Sequence, residues 1–485
     1  MGNGTIMQYF EWNLVNDGKH WQRLKEDAEH LKEIGITAVW LPPCFKARKQ
    51  DDVGYGVYDL YDLGEFDQKG TVRTKYGTKE ELKEAIGALH EVGIQVYADV
   101  VLNHKAGADY TEKFLAVPVA EDDRHREIGG VREIEAWVGF DFPGRQGLYS
   151  DFKWHWYHFS GVDYDVKSGE NAIFKIKGEF KDWADDDVVN NEKGNYDYIM
   201  FADIDYDHPE VVEETLNWLK WFVEETGVDG MRLDAAKHID ARFIKEFIDT
   251  ARQEFGEDFF FVAEYWDGGY QSLLDFLDSQ EFDSQIFDSL LHFKFAEVSQ
   301  GTADIDMRSL MEDTIMTRHP TLAVTFVSNH DTQPGQSLES TVEDWFKPIA
   351  YAWILLNVEG YPCIFYGDYY GLDGEDSEHT EILEKLLYLR QNYAYGPQDD
   401  YFDDQNVIAF IRQGDDDHPS PLVVILSNGE AGEKSIFTGE EWAGRAFYDY
   451  LGSVEDQVYI DDDGSGIFKV APGSISCWIL AEEDD

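Results

Sequence analysis

Three short apolar runs each end on an acid: residues 228–234 close on Asp234, 259–264 on Glu264 and 323–331 on Asp331. A run that stays apolar until its last residue reads as a buried strand delivering one side chain from a core into a cleft. Three such ends point to a site built on carboxylates. Arg232 lies two residues before Asp234, on the same face of an extended strand, where its fixed charge would keep the carboxylate ionised. Glu264 stands beside Tyr265 and Trp266, apolar company that raises a carboxyl pKa toward that of a general acid.

Positioning such acids needs a scaffold, and the chain supplies a repeating one. Strand-like runs at 6–11, 38–42, 95–102, 230–234, 259–264, 282–288, 323–328 and 362–366 alternate with amphipathic stretches such as 21–34 and 211–225. The latter has Val212, Leu216, Leu219 and Phe222 at helical spacing and Pro209 near its start. Eight strand–helix units predict an α/β fold, a closed (β/α)8 TIM barrel with its functional groups at the C-terminal strand ends. Asp234 and Glu264 fall one such unit apart, on neighbouring strands. Two carboxylates so placed are what retaining cleavage of a glycosidic bond needs, at roughly 5–5.5 Å.

Two segments depart from the barrel period. Residues 104–208, after the third strand, are far too long for a connecting loop and predict an inserted domain. Its aromatic run from Trp154 to Phe159 is read as domain core rather than a sugar platform. From residue 392 to 485, short alternating runs between polar turns predict an antiparallel β-sandwich. The expected division is therefore 1–103 with 209–391 for the barrel, 104–208 for the insert and 392–485 for the sandwich.

The charge is extreme: 98 acids against 40 Lys and Arg, a formal −58 over 485 residues. A field of that sign repels nucleic acid and anionic membranes, so neither is an expected partner. Self-repulsion weakens as salt shortens the Debye length, from about 30 Å at 0.01 M to about 3 Å at 1 M, which predicts a protein suited to high salt. No apolar stretch approaches the roughly 18 residues of a membrane span, and no secretion signal precedes Thr5. Cys44, Cys363 and Cys477 have no CxxC spacing and read as buried thiols, which fits a reducing compartment.

Four strings carry a family resemblance: Asp99-Val100-Val101-Leu102-Asn103-His104, Gly230-Met231-Arg232-Leu233-Asp234-Ala235-Ala236-Lys237-His238, Ala263-Glu264-Tyr265-Trp266 and Val327-Ser328-Asn329-His330-Asp331. In this order they resemble the four signature regions of the α-amylase family of glycoside hydrolases. The likeness is closest to bacterial liquefying-type enzymes, as in residues 54–66. Phe159-Ser160-Gly161 and the 427–434 segment resemble their intracellular branch.

The resemblance implies endo-acting, retaining hydrolysis of α-1,4-glucan, whether starch, glycogen or maltodextrin. The alternative is a relative that prefers maltooligosaccharides or transfers glucosyl units. Asp234 would be the nucleophile, Glu264 the acid/base and Asp331 the third carboxylate. His104, His330 and Tyr55 would contact the sugar at the cleavage point, and Lys237, His238 and Trp266 the leaving side. A Ca²⁺ cofactor would be held by Asn103, Asp197, Asp203 and the main-chain carbonyl of His238, oxygen ligands of the kind calcium takes. Secreted relatives carry an Asp where this chain has Ser160, which puts further metals near Asp182, Asp186 and Asp205 in doubt. A monomer is expected, in the cytoplasm, with secretion after signal removal as the alternative.

Overall fold

All eight strand-like runs form strands in the computed structural model, which describes residues 3–179 and 181–481. The acidic terminal run from Glu482 to Asp485 lies outside the described residues. The strands are β1 (Ile6–Gln8), β2 (Ala38–Leu41), β3 (Gln95–Val100), β4 (Gly230–Leu233), β5 (Phe260–Ala263), β6 (Gln285–Phe287), β7 (Ala323–Phe326) and β8 (Tyr361–Phe365). They close into a parallel barrel in which chain neighbours are sheet neighbours. This is the predicted (β/α)8 architecture, with Asp234 and Glu264 one residue beyond the C-terminal ends of β4 and β5.

Register matters most at β4. Arg232 pairs with Asp99 on β3 and with Val262 on β5, so a cation and an acid meet on adjacent strands. Gly230 opens the strand because Tyr97 and Phe260 stack over it, rings 4.2 Å apart. A Cβ at Gly230 would come within 2.5 Å of the Phe260 carbonyl oxygen. Pro209–Thr226, the helix before β4, begins with proline in its first turn and ends at Gly227 in the left-handed region at φ 74°. Both are places where those residues cost least.

By contacts the chain forms two compact units, 15–29 with 40–286, and 1–14 with 30–39 and 287–485. The first contains a six-stranded sheet made of His104–Lys105, Ala202–Ile204, Phe159–Asp165, Glu170–Lys177, Tyr110–Val119 and Arg132–Gly139, in that order. Its core includes Phe114, Ile134, Phe140, Trp154, Phe159 and Phe174. The aromatic run thus divides: Trp154 and Phe159 are buried, while Trp156 stacks on Phe114 and Tyr157 is exposed.

The second unit carries two antiparallel sheets. One orders Gln398–Tyr401, Val407–Arg412, Leu422–Ser427, Ile475–Leu480, Ala446–Asp449 and Val458–Tyr459; the other pairs Gly432–Phe437 with Ser465–Val470. Ile425, Phe447 and Trp478 from one and Ile436 and Phe468 from the other share a single core, which makes the predicted sandwich. Gln398–Tyr401 and Gly432–Phe437 escape sequence reading: the first is polar but for Tyr401, and Lys434 takes an inward position of the second. All three cysteines are buried free thiols, and burial pushes Cys44 and Cys363 up to about 12. Among the described residues no helix is long and apolar enough to cross a membrane.

Candidate active site

Arg232 is 1% exposed and grips three carboxylates. Its Nη1 donates to Asp99 Oδ1 at 2.8 Å and to Asp234 Oδ1 at 2.6 Å, and its Nη2 lies 2.9 Å from Glu264 Oε2. Sequence reading assigned Arg232 to Asp234 alone. The structure corrects this, because β3, β4 and β5 bring an acid each to one guanidinium. Asp99 was missed as a site residue, although a lone acid inside the apolar stretch Val96 to Leu102 is the signal that could have found it.

Three acids on one cation cannot all carry charge cheaply in a buried site. Burial raises all three. Asp99 is pushed up to about 7 by burial, with Arg232 opposing and the Asp234 charge adding to the rise. Glu264 is likewise raised by burial, against the pull of Arg232, with the Asp234 charge pushing the same way as burial. Asp234 is raised by burial and held down by the Arg232 charge and hydrogen bond. The Asp234 charge is thus one of the causes that raise Asp99 and Glu264. Glu264 is raised in the direction its apolar neighbours suggest, by burial first and by the Asp234 charge as well.

The main chain tightens this arrangement. Ala235 sits in the left-handed region at φ 51°, strained for a residue with a Cβ, and its N–H donates to Glu264 Oε2 at 2.9 Å. Tyr55 donates its hydroxyl to Asp99 Oδ2 at 2.9 Å, and Trp40 Nε1 reaches the same oxygen at 3.1 Å. The Tyr55 ring is thereby locked in place by a buried acid. Burial pushes His104 down to about 4, so it is neutral; Nε2 donates to the Tyr55 carbonyl at 2.8 Å and Nδ1 faces Asn103 Nδ2.

Lys237 Nζ is held by Glu192 at 2.7 Å, Asp267 at 3.1 Å and the Trp266 carbonyl at 3.0 Å. His238, pushed down to about 3 by burial, donates from Nδ1 to the Tyr196 carbonyl. Beside them, Asn190 donates to the Tyr265 hydroxyl at 2.8 Å. Sequence reading missed Glu192, Asp267 and Asn190, whose separate positions in the chain carry no shared pattern.

The second unit holds the remaining predicted residues. Gln8 Nε2 donates to the Phe10 carbonyl, which orients its amide, and to His330 Nδ1 at 3.0 Å. The proton of a neutral His330 is then on Nε2, 3.3 Å from Asp331 Oδ2. His330 stacks parallel to Trp12, and Asn329 Oδ1 accepts the Asp331 and Thr332 N–H groups, fixing the turn that presents the acid.

The expected metal ligands also cluster. Asn103, Asp197 and His238 line one small cavity with Ser160, Asp205 and Asp240. Asn103 Nδ2 reaches Asp203 at 3.4 Å, and the Ser160 hydroxyl donates to Asp203. Burial and neighbouring acids push Asp197 up to about 7 and Asp203 well above the usual carboxylate range. Among the described residues no Lys, Arg or His pairs with either. Two buried carboxylates with an amide oxygen nearby and no counter-charge fit a hard divalent cation such as Ca²⁺. A second cluster, His158, His208 and Glu210, fits a metal less well. His158 Nδ1 accepts the His155 N–H, which puts the ring proton on Nε2, the atom facing Glu210.

Residues 20–418 match the family described as alpha amylase, catalytic domain, and residues 422–479 that described as alpha-amylase C-terminal. The chain is similar to the alpha-amylase of Bacillus licheniformis, 50% identical over 482 residues, 98% of this chain and 93% of that one. It is 50% identical to the glucan 1,4-alpha-maltohexaosidase of Bacillus sp. (strain 707) over 98% of this chain and 92% of that one. The cytoplasmic alpha-amylase of Escherichia coli (strain K12) is 42% identical, over 99% of this chain and 100% of its own length. The crystal structure of an alpha-amylase from Geobacillus thermoleovorans, complexed with acarbose, matches the fold with a TM-score of 0.66 over 99% of each chain at 19% identity.

The electrostatics of the acid cluster make a direct prediction. In Asp234→Asn the charge that raises Glu264 is gone, so its carboxyl should lose its proton at lower pH than in the wild type. Carbon-13 NMR of Glu-labelled protein measures this; an unmoved Glu264 titration contradicts a contribution of the Asp234 charge.

Proposed function

The chain belongs to the α-amylase family of glycoside hydrolases, and from that premise we propose that it cleaves internal α-1,4-glucosidic bonds in starch, glycogen and maltodextrins with retention. The observation that carries the reading is the shared grip of Arg232 on Asp234 and Glu264. Asp234 is the nucleophile: its Oδ attacks the anomeric carbon as the bond to the leaving oxygen breaks, and Glu264 gives that oxygen its proton. Glu264, now ionised, takes a proton from water, which attacks the same carbon and releases Asp234. Atoms and charge balance over the two steps.

Asp331 is proposed as the third carboxylate, gripping sugar hydroxyls with His330 and His104, while Tyr55 offers its ring face to the sugar. Lys237, His238 and Trp266 are assigned to the leaving side. Asn103, Asp197, Asp203 and the His238 carbonyl are proposed to hold one Ca²⁺, which supplies the fixed positive charge these buried acids lack. The three-part division into barrel, insert 104–208 and sandwich from 392 is proposed as the domain organisation.

Asp234→Asn and Glu264→Gln should each lower kcat on soluble starch by about 10³-fold or more while leaving the melting temperature near that of the wild type. Near-normal hydrolysis by either variant contradicts the assignment. Early wild-type products should be mixed oligosaccharides. Maltose or glucose alone, or longer transfer products, would favour the oligosaccharide-preferring or transferring alternative.

Monomeric state, a cytoplasmic location and adaptation to high salt are also proposed. The three buried thiols and the full-length likeness to the cytoplasmic enzyme support the location, although the two Bacillus relatives are more similar overall. The formal charge of −58 supports the salt adaptation. The melting temperature should rise from about 0.05 M to about 3 M NaCl as repulsion is screened; a flat or falling series contradicts it.

A further inference from the structure

We propose that the Lys181 ammonium is a built-in cation of the acidic cavity, limiting it to one divalent ion and clasping the segment that follows the insert's Glu170–Lys177 strand. The proposal rests on the calcium reading above. Lys181 and Asp205 form an ion pair whose side chains are 6% and 7% exposed, unlike the many solvent-exposed pairs of this chain. Asp205 faces the same cavity as Asp197 and Asn103. Its other oxygen, Oδ1, accepts the Asp207 N–H at 3.0 Å, so both carboxylate oxygens are engaged.

Charge accounting around the cavity gives the capacity. Asp240 is neutralised by Arg242, bound at 2.6 Å and again through Nε, and Asp205 by Lys181. Asp207 also lines the cavity but is exposed and shares Arg242 at 3.4 Å, so the buried charges left without a cation are Asp197 and Asp203, which one divalent ion matches. With Lys181 absent, Asp205 would be a third buried charge without a partner, a state that binds a cation or protonates. The ammonium and a metal at Asp205 would occupy the same position and exclude each other.

The same contacts dock the segment. Lys181 ties it to Asp205, the Ala184 N–H donates to Asp197 at 3.0 Å, and between them Trp183 packs against Val117, Val119 and Tyr198. One side chain and one main-chain group thus hold adjacent carboxylates of the cluster, and Trp183 fills the space beneath.

Calcium chloride titrated into metal-stripped full-length protein by calorimetry tests the proposal. Wild type should bind one Ca²⁺ per chain, Lys181→Met two, and the double variant Lys181→Met/Asp205→Asn one. If Lys181→Met folds only with calcium present, the ions per chain are counted by atomic absorption after gel filtration in calcium, with the same expected number. A wild type that binds two ions, or a Lys181→Met that binds one, overturns the proposal. A wild type that binds none instead removes the calcium reading on which it stands.

Discussion

One buried guanidinium serving three buried carboxylates is the constraint on which the catalytic half of this molecule depends. Arg232 is placed by β4, Asp99 by β3 and Glu264 by the end of β5, so barrel register alone converges the four groups. One positive charge balances only part of three negative ones in a buried site, and burial raises the pKa of each carboxyl against the pull of Arg232. A nucleophile and a general acid need different proton affinities in two otherwise similar side chains, which is the demand the proposed roles place on this cluster. Tyr55, Trp40 and the Ala235 N–H then fix the geometry, and the left-handed backbone at Ala235 shows strain stored where the chain turns from strand to site.

The same shortage of cations recurs at the acidic cavity. There Lys181 pairs with Asp205 and Arg242 with Asp240, while among the described residues no Lys, Arg or His pairs with Asp197 or Asp203. In a protein with 98 acids and 40 Lys and Arg, how each buried carboxylate is neutralised decides what its site can do. Around Arg232 three carboxylates share one guanidinium. In the cavity beside Asn103, Asp205 is met by the Lys181 ammonium.

The barrel was legible because its strands are short apolar runs separated by helical periodicity, and the acids were legible because each breaks such a run at its end. Asp99 was harder to read, since its charge falls inside a run, where only the presence of Arg232 on the next strand explains it. Glu192 and Asp267 were illegible because their shared partner, Lys237, brings together loops from different parts of the chain. Gly432–Phe437 was hidden by a lysine at an inward position, where Lys434 extends to Asp403 instead of packing. The role proposed for Lys181 depends on a contact with Asp205, 24 residues away, which no local pattern encodes.

The central claim is that Asp234 carries the sugar between two steps that Glu264 serves first as acid and then as base. In Glu264→Gln, a glucosyl fluoride donor needs no proton on its leaving group, so the first step proceeds while the second lacks its base. Mass spectrometry of the digested protein should then find a glucosyl ester on the peptide containing Asp234. An adduct on another residue, or turnover of the fluoride without any adduct on Asp234, would contradict the account.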